Sequence, residues 1–204
     1  MKIIRASIDD TDIFSENELN FGACCFFTED KLCKYFFEIE GRVATLFSNS
    51  QQYTFQAINE FLFYSGFITT IRDENGAVLL NRKPNKAYLY EISKLQVSQF
   101  YISEVKLESC KKWIRCQDDI FVPIVVSDGK TILIDGHTRV RAANDLGYSS
   151  VNVYLDEFDD YIFHFVSEAI KRKINNVSDM ELICHEEYKL KWYKFCDDFF
   201  KRQK

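Results

Sequence analysis

Apolar positions along the chain change period several times, and those changes mark out its elements. The clearest change falls between residues 131 and 155. Thr131-Ile132-Leu133-Ile134 is a short apolar, β-branched run, the pattern of a buried strand. Asp135-Gly136 breaks it, glycine permitting a tight backbone path that a Cβ would obstruct. From His137 to Leu146 the spacing becomes helical, with Val140, Ala143 and Leu146 three apart. Gly147 then stands where a helix end takes a left-handed residue, and Val151 to Leu155 restart a period of two. The prediction is strand, abrupt turn, helix, strand.

Upstream of this stretch, Leu95 to Tyr101 alternates as a strand. Ser103 is placed to cap a helix running to about Arg115, with Leu107, Cys110, Trp113 and Ile114 inward. Asp128-Gly129 folds Val122–Val126 back onto Thr131–Ile134 as a hairpin. The N-terminal third has its own rhythm. Ala23 to Phe27, Tyr35 to Ile39 and Val43 to Phe47 read as strands, the last two joined at Gly41. A helix follows Ser48-Asn49-Ser50 and runs to Tyr64, with Phe55, Ile58, Phe61 and Leu62 as its stripe and Gly66 as its stop. Asn75-Gly76, between Ile68–Arg72 and Ala77–Leu80, is a strong hairpin signal.

Asn81 to Lys86 is polar, basic and carries Pro84, and reads as a solvated boundary. The tail from Glu157 is helical, with Phe158, Tyr161, Ile162, Phe165 and Ile170 on one stripe and Lys171-Arg172-Lys173 at the end. Ser178-x-x-Glu181 reads as a capping box opening a second helix to about Phe200, on which His185-Glu186-Glu187 form a solvated face. The expectation is an α+β protein in three parts: an accessory unit over 1–85, a mixed-sheet domain over 86–156, and a helical extension over 157–204 packed on it.

Composition narrows the classes. The chain has 204 residues, enough for one large domain or two small ones. Its 16% aromatic content, with nineteen Phe and eleven Tyr, points to a dense core or an apolar interface. A formal charge of −5 gives no global attraction to nucleic acid, which is therefore disfavoured as the main partner. No run of about 18 apolar residues exists, so no membrane span is expected. The amino end soon meets acidic residues, unlike a signal peptide. The seven cysteines, without CxxC pairs, are then expected to be reduced, largely buried thiols in the cytoplasm, and Cys24-Cys25 to face opposite sides of a strand.

The chemistry lies at the turn. The first amides of a helix have no intrahelical acceptor and carry the positive end of its dipole, so phosphate is a ready partner. Gly136 lets it approach the backbone, and Arg139 in the first turn adds a bidentate grip. Asp135 can hold a metal or accept from a substrate hydroxyl, and His137 can donate to phosphate or move a proton. The alternative leaves Asp135 as a helix cap with His137 and Arg139 solvated.

Asp135-Gly136-His137-Thr138-Arg139, followed by Ala142-Ala143, Leu146-Gly147 and Val151-Asn152-Val153 and preceded by Pro123-Ile124-Val125-Val126, resembles the signature of the ParB/sulfiredoxin-like superfamily. The resemblance covers about a third of the chain, Leu95 to Leu155. Sulfiredoxins resemble it around GxxR, but their nucleophilic cysteine would fall at His137, so sulfinic-acid reduction is not expected. Chromosome-partitioning ParB proteins match at Gly136, Arg139, Arg141 and Ala142 and depart at His137 and Thr138. They also carry a helix-turn-helix that this tail does not show. The turn most resembles the Asp-Gly-His-x-Arg of free-serine kinases.

That resemblance implies nucleotide phosphates, of ATP or ADP with CTP as the alternative, on Gly136, His137, Thr138 and Arg139. Arg141 joins them in a ParB-type site, whereas a kinase-type site leaves it to solvent or to Asp145, four residues on. It implies Mg²⁺ on Asp135, a catalytic part for Asp135 and His137, and a glutamate base on the acceptor hydroxyl. By position the base is Glu104, or else Glu108, although an acid there also suits the helix dipole. Two functions of different class follow: phosphotransfer to a small hydroxylated substrate such as free serine, or a non-catalytic module binding nucleotide or nucleic acid.

Overall fold

The structure, a computed structural model, describes residues 1–7, 9–19, 24–83 and 85–202. They form two compact units, Met1–Lys86 and Ala87–Lys204. The class is α+β with mixed sheets and a helical C-terminal tail, as expected.

The first unit contains β1 (Ile3–Arg5), α1 (Glu16–Leu19), β2 (Cys25–Thr28), β3 (Lys34–Glu40), β4 (Val43–Ser48), α2 (Thr54–Tyr64), β5 (Thr70–Asp73) and β6 (Val78–Asn81). Its six strands lie in sequence order in one sheet. All neighbours are antiparallel except β4 and β5, which are parallel because α2 carries the chain between them. Phe61 of α2 stacks on Phe37 of β3 at 4.0 Å between ring centroids, and Phe26 of β2 meets both edge-on. The Asn75-Gly76 hairpin forms as predicted, with Gly76 at φ 86°.

Phe55 is a correction: it is 73% exposed, and Ala57, Ile58 and Phe61 make the buried face. Phe55 points about a third of a turn away from the centre of that face. Ala23, the expected start of a strand, and Pro84, in the expected boundary, lie outside the described residues. Arg82 is not solvated as read, since its amide reaches Thr69 O and its Nε reaches Ile68 O.

The second unit comprises β7 (Ala87–Glu91), β8 (Leu95–Gln96), β9 (Tyr101–Ser103), α3 (Glu104–Trp113), β10 (Phe121–Ser127), β11 (Lys130–Leu133), α4 (His137–Asp145), β12 (Ser150–Leu155), α5 (Tyr161–Lys171), β13 (Glu181–Ile183) and α6 (His185–Tyr188). A π-helical stretch, Lys189–Tyr193, continues α6 into α7 (Lys194–Arg202). The sheet order is β7-β12-β10-β11-β8, with β10/β12 and β11/β8 parallel and the other pairs antiparallel. It is a mixed sheet with helices, the arrangement the ParB/sulfiredoxin-like resemblance implies. Val122, Ile124 and Leu133 enter the main core with Val140 and Ala143 of α4. Val125 and Ile132 point the other way, onto Ile162 and Val166 of α5.

Three segments depart from the sequence reading. Leu95–Tyr101 is two short strands in different sheets, because Ser98 between them gives its backbone and hydroxyl to side-chain and turn partners described below. Ser103 precedes α3 without capping it; its hydroxyl meets His185 Nδ1 at 2.9 Å, so His185 is not on a solvated face. Ser178-x-x-Glu181 opens no helix. Asn176 and Asp179 form the capping box of a 3₁₀ turn, and Glu181–Ile183 becomes β13, parallel to β9, leaving the helix to start at His185. The tail shares one core with the sheet, through Phe165, Tyr188 and Trp192. No helix among the described residues is long and apolar enough to cross a membrane.

Candidate functional site

Parallel pairing of β8 and β11 makes both strands end at the same edge of the sheet, so residues 97–100 and the turn 134–139 emerge side by side. Gly136 is the N-cap of α4 at φ 81°, with no side-chain cap. Its place is crowded. A Cβ there would lie 2.7 Å from Val122 Cγ1 and about as close to the Arg139 guanidinium, so only glycine lets that arginine lie across the turn.

Arg139 is fixed from two sides, donating from Nη1 to Phe121 O at 2.9 Å and from Nη2 to Asp135 Oδ2 at 3.0 Å. Its side chain is 18% exposed and that of Asp135 63%, so the carboxylate faces solvent while the guanidinium is largely covered. The first helical carbonyl acceptance is Val140 N to Gly136 O; among the described residues the amides of His137, Thr138 and Arg139 have no hydrogen-bond partner. An anion above the turn would meet this fan of amides and Nη2 together.

His137 is 4% exposed, and the fold engages its ring at Nε2. Nε2 accepts from the Ser98 amide at 3.1 Å, while Ser98 Oγ donates to Leu133 O at 2.9 Å. A neutral imidazole that accepts at Nε2 carries its proton on Nδ1. Burial pushes its pKa down to about 4, with Arg139 adding to the fall and Asp135 opposing it. The ring is neutral and ties the end of β11 to the Ser98 segment. This is the buried-polar signature that a lone His in a turn motif does not announce.

The remaining expected residues are not gathered here. Arg141 points away, to Asp145 Oδ1 at 2.9 Å and the carbonyls of Val177 and Met180. Thr138 is half-buried in the turn. Glu104 is exposed at the start of α3 and makes no hydrogen bond or ion pair among the described residues. What α3 does bring is Cys110, whose thiol burial pushes up to about 11 while Arg139 and Lys106 pull it down. Asp135 also raises the phenol pKa values of Tyr161 and Tyr188, behind burial as the main cause, which puts α5 and α6 within electrostatic reach of the turn. Two shallow depressions lie elsewhere, one along Ile132, Phe163 and Ile170, the other beside Gln96 and Asn175. No group of three metal-ligating side chains occurs among the described residues.

No protein-family model and no curated protein matches the chain. Among solved structures it is similar to protein Atu1540 from Agrobacterium tumefaciens, at 21% identity and a TM-score of 0.34, over 47% of this chain and 61% of that one. It is also similar to the C-terminally truncated chromosome-partitioning protein ParB from Caulobacter crescentus, crystallised with CTP-γ-S, at 22% identity and a TM-score of 0.32. That match covers 44% of this chain and 53% of the other.

Proposed function

We propose that the second unit binds a nucleotide by its phosphates at the Asp135–Arg139 turn and transfers a phosphoryl group to the hydroxyl of a small acceptor such as free serine. The observation that supports this best is the open helix start: three unpartnered amides beside a guanidinium already held across Gly136. The amides of His137, Thr138 and Arg139 donate to phosphate oxygens, and Arg139 Nη2 adds a charge-assisted bond once Asp135 releases it. Asp135 is the one exposed carboxylate on the turn. It suits Mg²⁺, which is commonly held by one or two carboxylates together with phosphates and water. When bound, that ion neutralises charge on the transferring phosphates. ATP or ADP is the expected nucleotide and CTP the alternative. His137 positions the turn through Ser98 and takes no proton. Glu104 is the candidate base on the acceptor hydroxyl.

A second reading, a nucleotide-binding module without turnover, is favoured by one observation: among the described residues Glu104 makes no hydrogen bond or ion pair with the turn. Calorimetric titration with ATP, ADP and CTP, with and without Mg²⁺, should give binding that Arg139→Ala weakens by about 1.5–3 kcal/mol. Equal affinity in wild type and variant would take the phosphates off this turn. Phosphorus NMR with an amino-acid panel separates the two readings: a phosphorylated product that Glu104→Gln suppresses supports the kinase, and unchanged nucleotide supports the module.

A further inference from the structure

We infer that Lys106 is a second oxyanion-binding group of this site, held for the purpose between Tyr188 and Tyr193; the inference rests on reading the turn as a phosphate site. Lys106 Nζ donates to Tyr193 Oη at 2.6 Å and lies 4.9 Å and 5.0 Å from the ring centroids of Tyr188 and Tyr193. The two rings meet edge-to-face, with centroids 5.2 Å apart. Five residues apart, they would lie about 140° from each other around an α-helix. The π stretch Lys189–Tyr193, with its wider turn, brings them onto one side. A π segment is a costly irregularity that tends to occur where function needs it. Here its consequence is the clamp on one lysine.

The clamp and the turn belong together. Lys106 and Cys110 share a face of α3, about 6 Å apart along its axis. That helix packs on α4, and the Cys110 thiol feels both Lys106 and Arg139. Tyr188, on the other side of the clamp, feels Asp135. The neighbouring cations are already matched: Arg139 with Asp135, Arg141 and Lys111 with Asp145. Among the described residues Lys106 has no carboxylate. Two π faces and a phenol hold its ammonium in place without neutralising it. A positive charge fixed in this way, on the helix that packs against α4, suits a second oxyanion on the same ligand set. That oxyanion is either the nucleotide's outer phosphate or the carboxylate of a small amino-acid acceptor.

Titrations of the full chain and of Lys106→Met, Lys106→Arg and Arg139→Ala with ADP, AMP and, in the presence of ADP, L-serine and its amide test this. Lys106→Met is expected to weaken either ADP or L-serine about tenfold, leaving AMP and serinamide within about twofold and Lys106→Arg near wild type, as loss of one charge-assisted contact implies. A loss on ADP assigns the outer phosphate, and a loss on L-serine assigns the carboxylate. If Lys106→Met matches wild type on every probe while Arg139→Ala loses ADP, the inference fails and the turn site stands. If Arg139→Ala also binds as wild type does, or wild type binds nothing, both fall.

Discussion

Gly76 in the first unit and Gly136 in the second have nearly the same backbone, φ 86° and 81°, and each follows a strand. A Cβ on Gly76 would meet nothing within 4 Å, whereas one on Gly136 would meet Val122 and the Arg139 guanidinium. In the first case glycine relieves a local torsional cost and closes a hairpin. In the second it does that and also makes room for an arginine drawn across it. The same contrast holds for polar groups. The Asp73 carboxylate at the first turn accepts from Asn75 and Ala77 and so completes its own loop. Asp135 at the second accepts from an arginine four residues on. One turn is finished by its own residues, and the other is left with donors to spare.

Substitution of the two glycines should break this pair apart. Gly136→Ala is expected to lose about 3–4 kcal/mol, a left-handed cost of about 1–2 together with the overlap on Val122 and Arg139. Gly76→Ala should lose only the left-handed cost, about 1–2 kcal/mol. Urea unfolding of both variants measures it. Equal losses would mean that Arg139 can leave the turn freely, and the comparison would collapse.

The second-largest effect concerns His137 and pH. Its folded pKa, about 4, lies below its ordinary 6.5, so the unfolded chain binds the proton more readily. The contribution is therefore complete above 6.5 and is lost as pH falls toward 4. Between pH 6.5 and 5, above the range of the depressed carboxylates, stability should drop by about 2 kcal/mol through this group. His137→Gln should flatten that slope. A slope identical to wild type would show that the imidazole is not buried neutral against Ser98.

The smallest effect sharpens the boundary of the site. Arg141 is engaged with Asp145 and two carbonyls, so Arg141→Ala should change affinity for di- and triphosphates by no more than about 0.5 kcal/mol, as for residues outside a contact. It is expected to cost stability instead, through the carbonyls of Val177 and Met180 left without their donor. A loss of triphosphate affinity as severe as that of Arg139→Ala would place both arginines on the ligand.

Local pattern alone determined a good part of this protein. The 131–155 stretch folds as its change of period from strand to helix to strand requires, and both Asn75-Gly76 and Asp128-Gly129 make their hairpins. The four-residue spacing of Arg141 and Asp145 is enough to make their ion pair. Such features depend on residues a few positions apart, whose geometry the backbone period sets. Other features depend on residues 35 to 87 positions apart. Ser98 broke an apparent strand because His137 and Leu133 claimed it across the sheet edge. His137, read as a phosphate donor or proton carrier, is buried by the parallel pairing of β8 with β11. Tyr188 and Tyr193 have no common face in any α-helical reading, and only a π segment packed against α3 sets them around Lys106. The capping-box pattern at Ser178 was overruled by a strand pairing with β9, since a ladder with a distant partner outweighs a cap of about 1 kcal/mol.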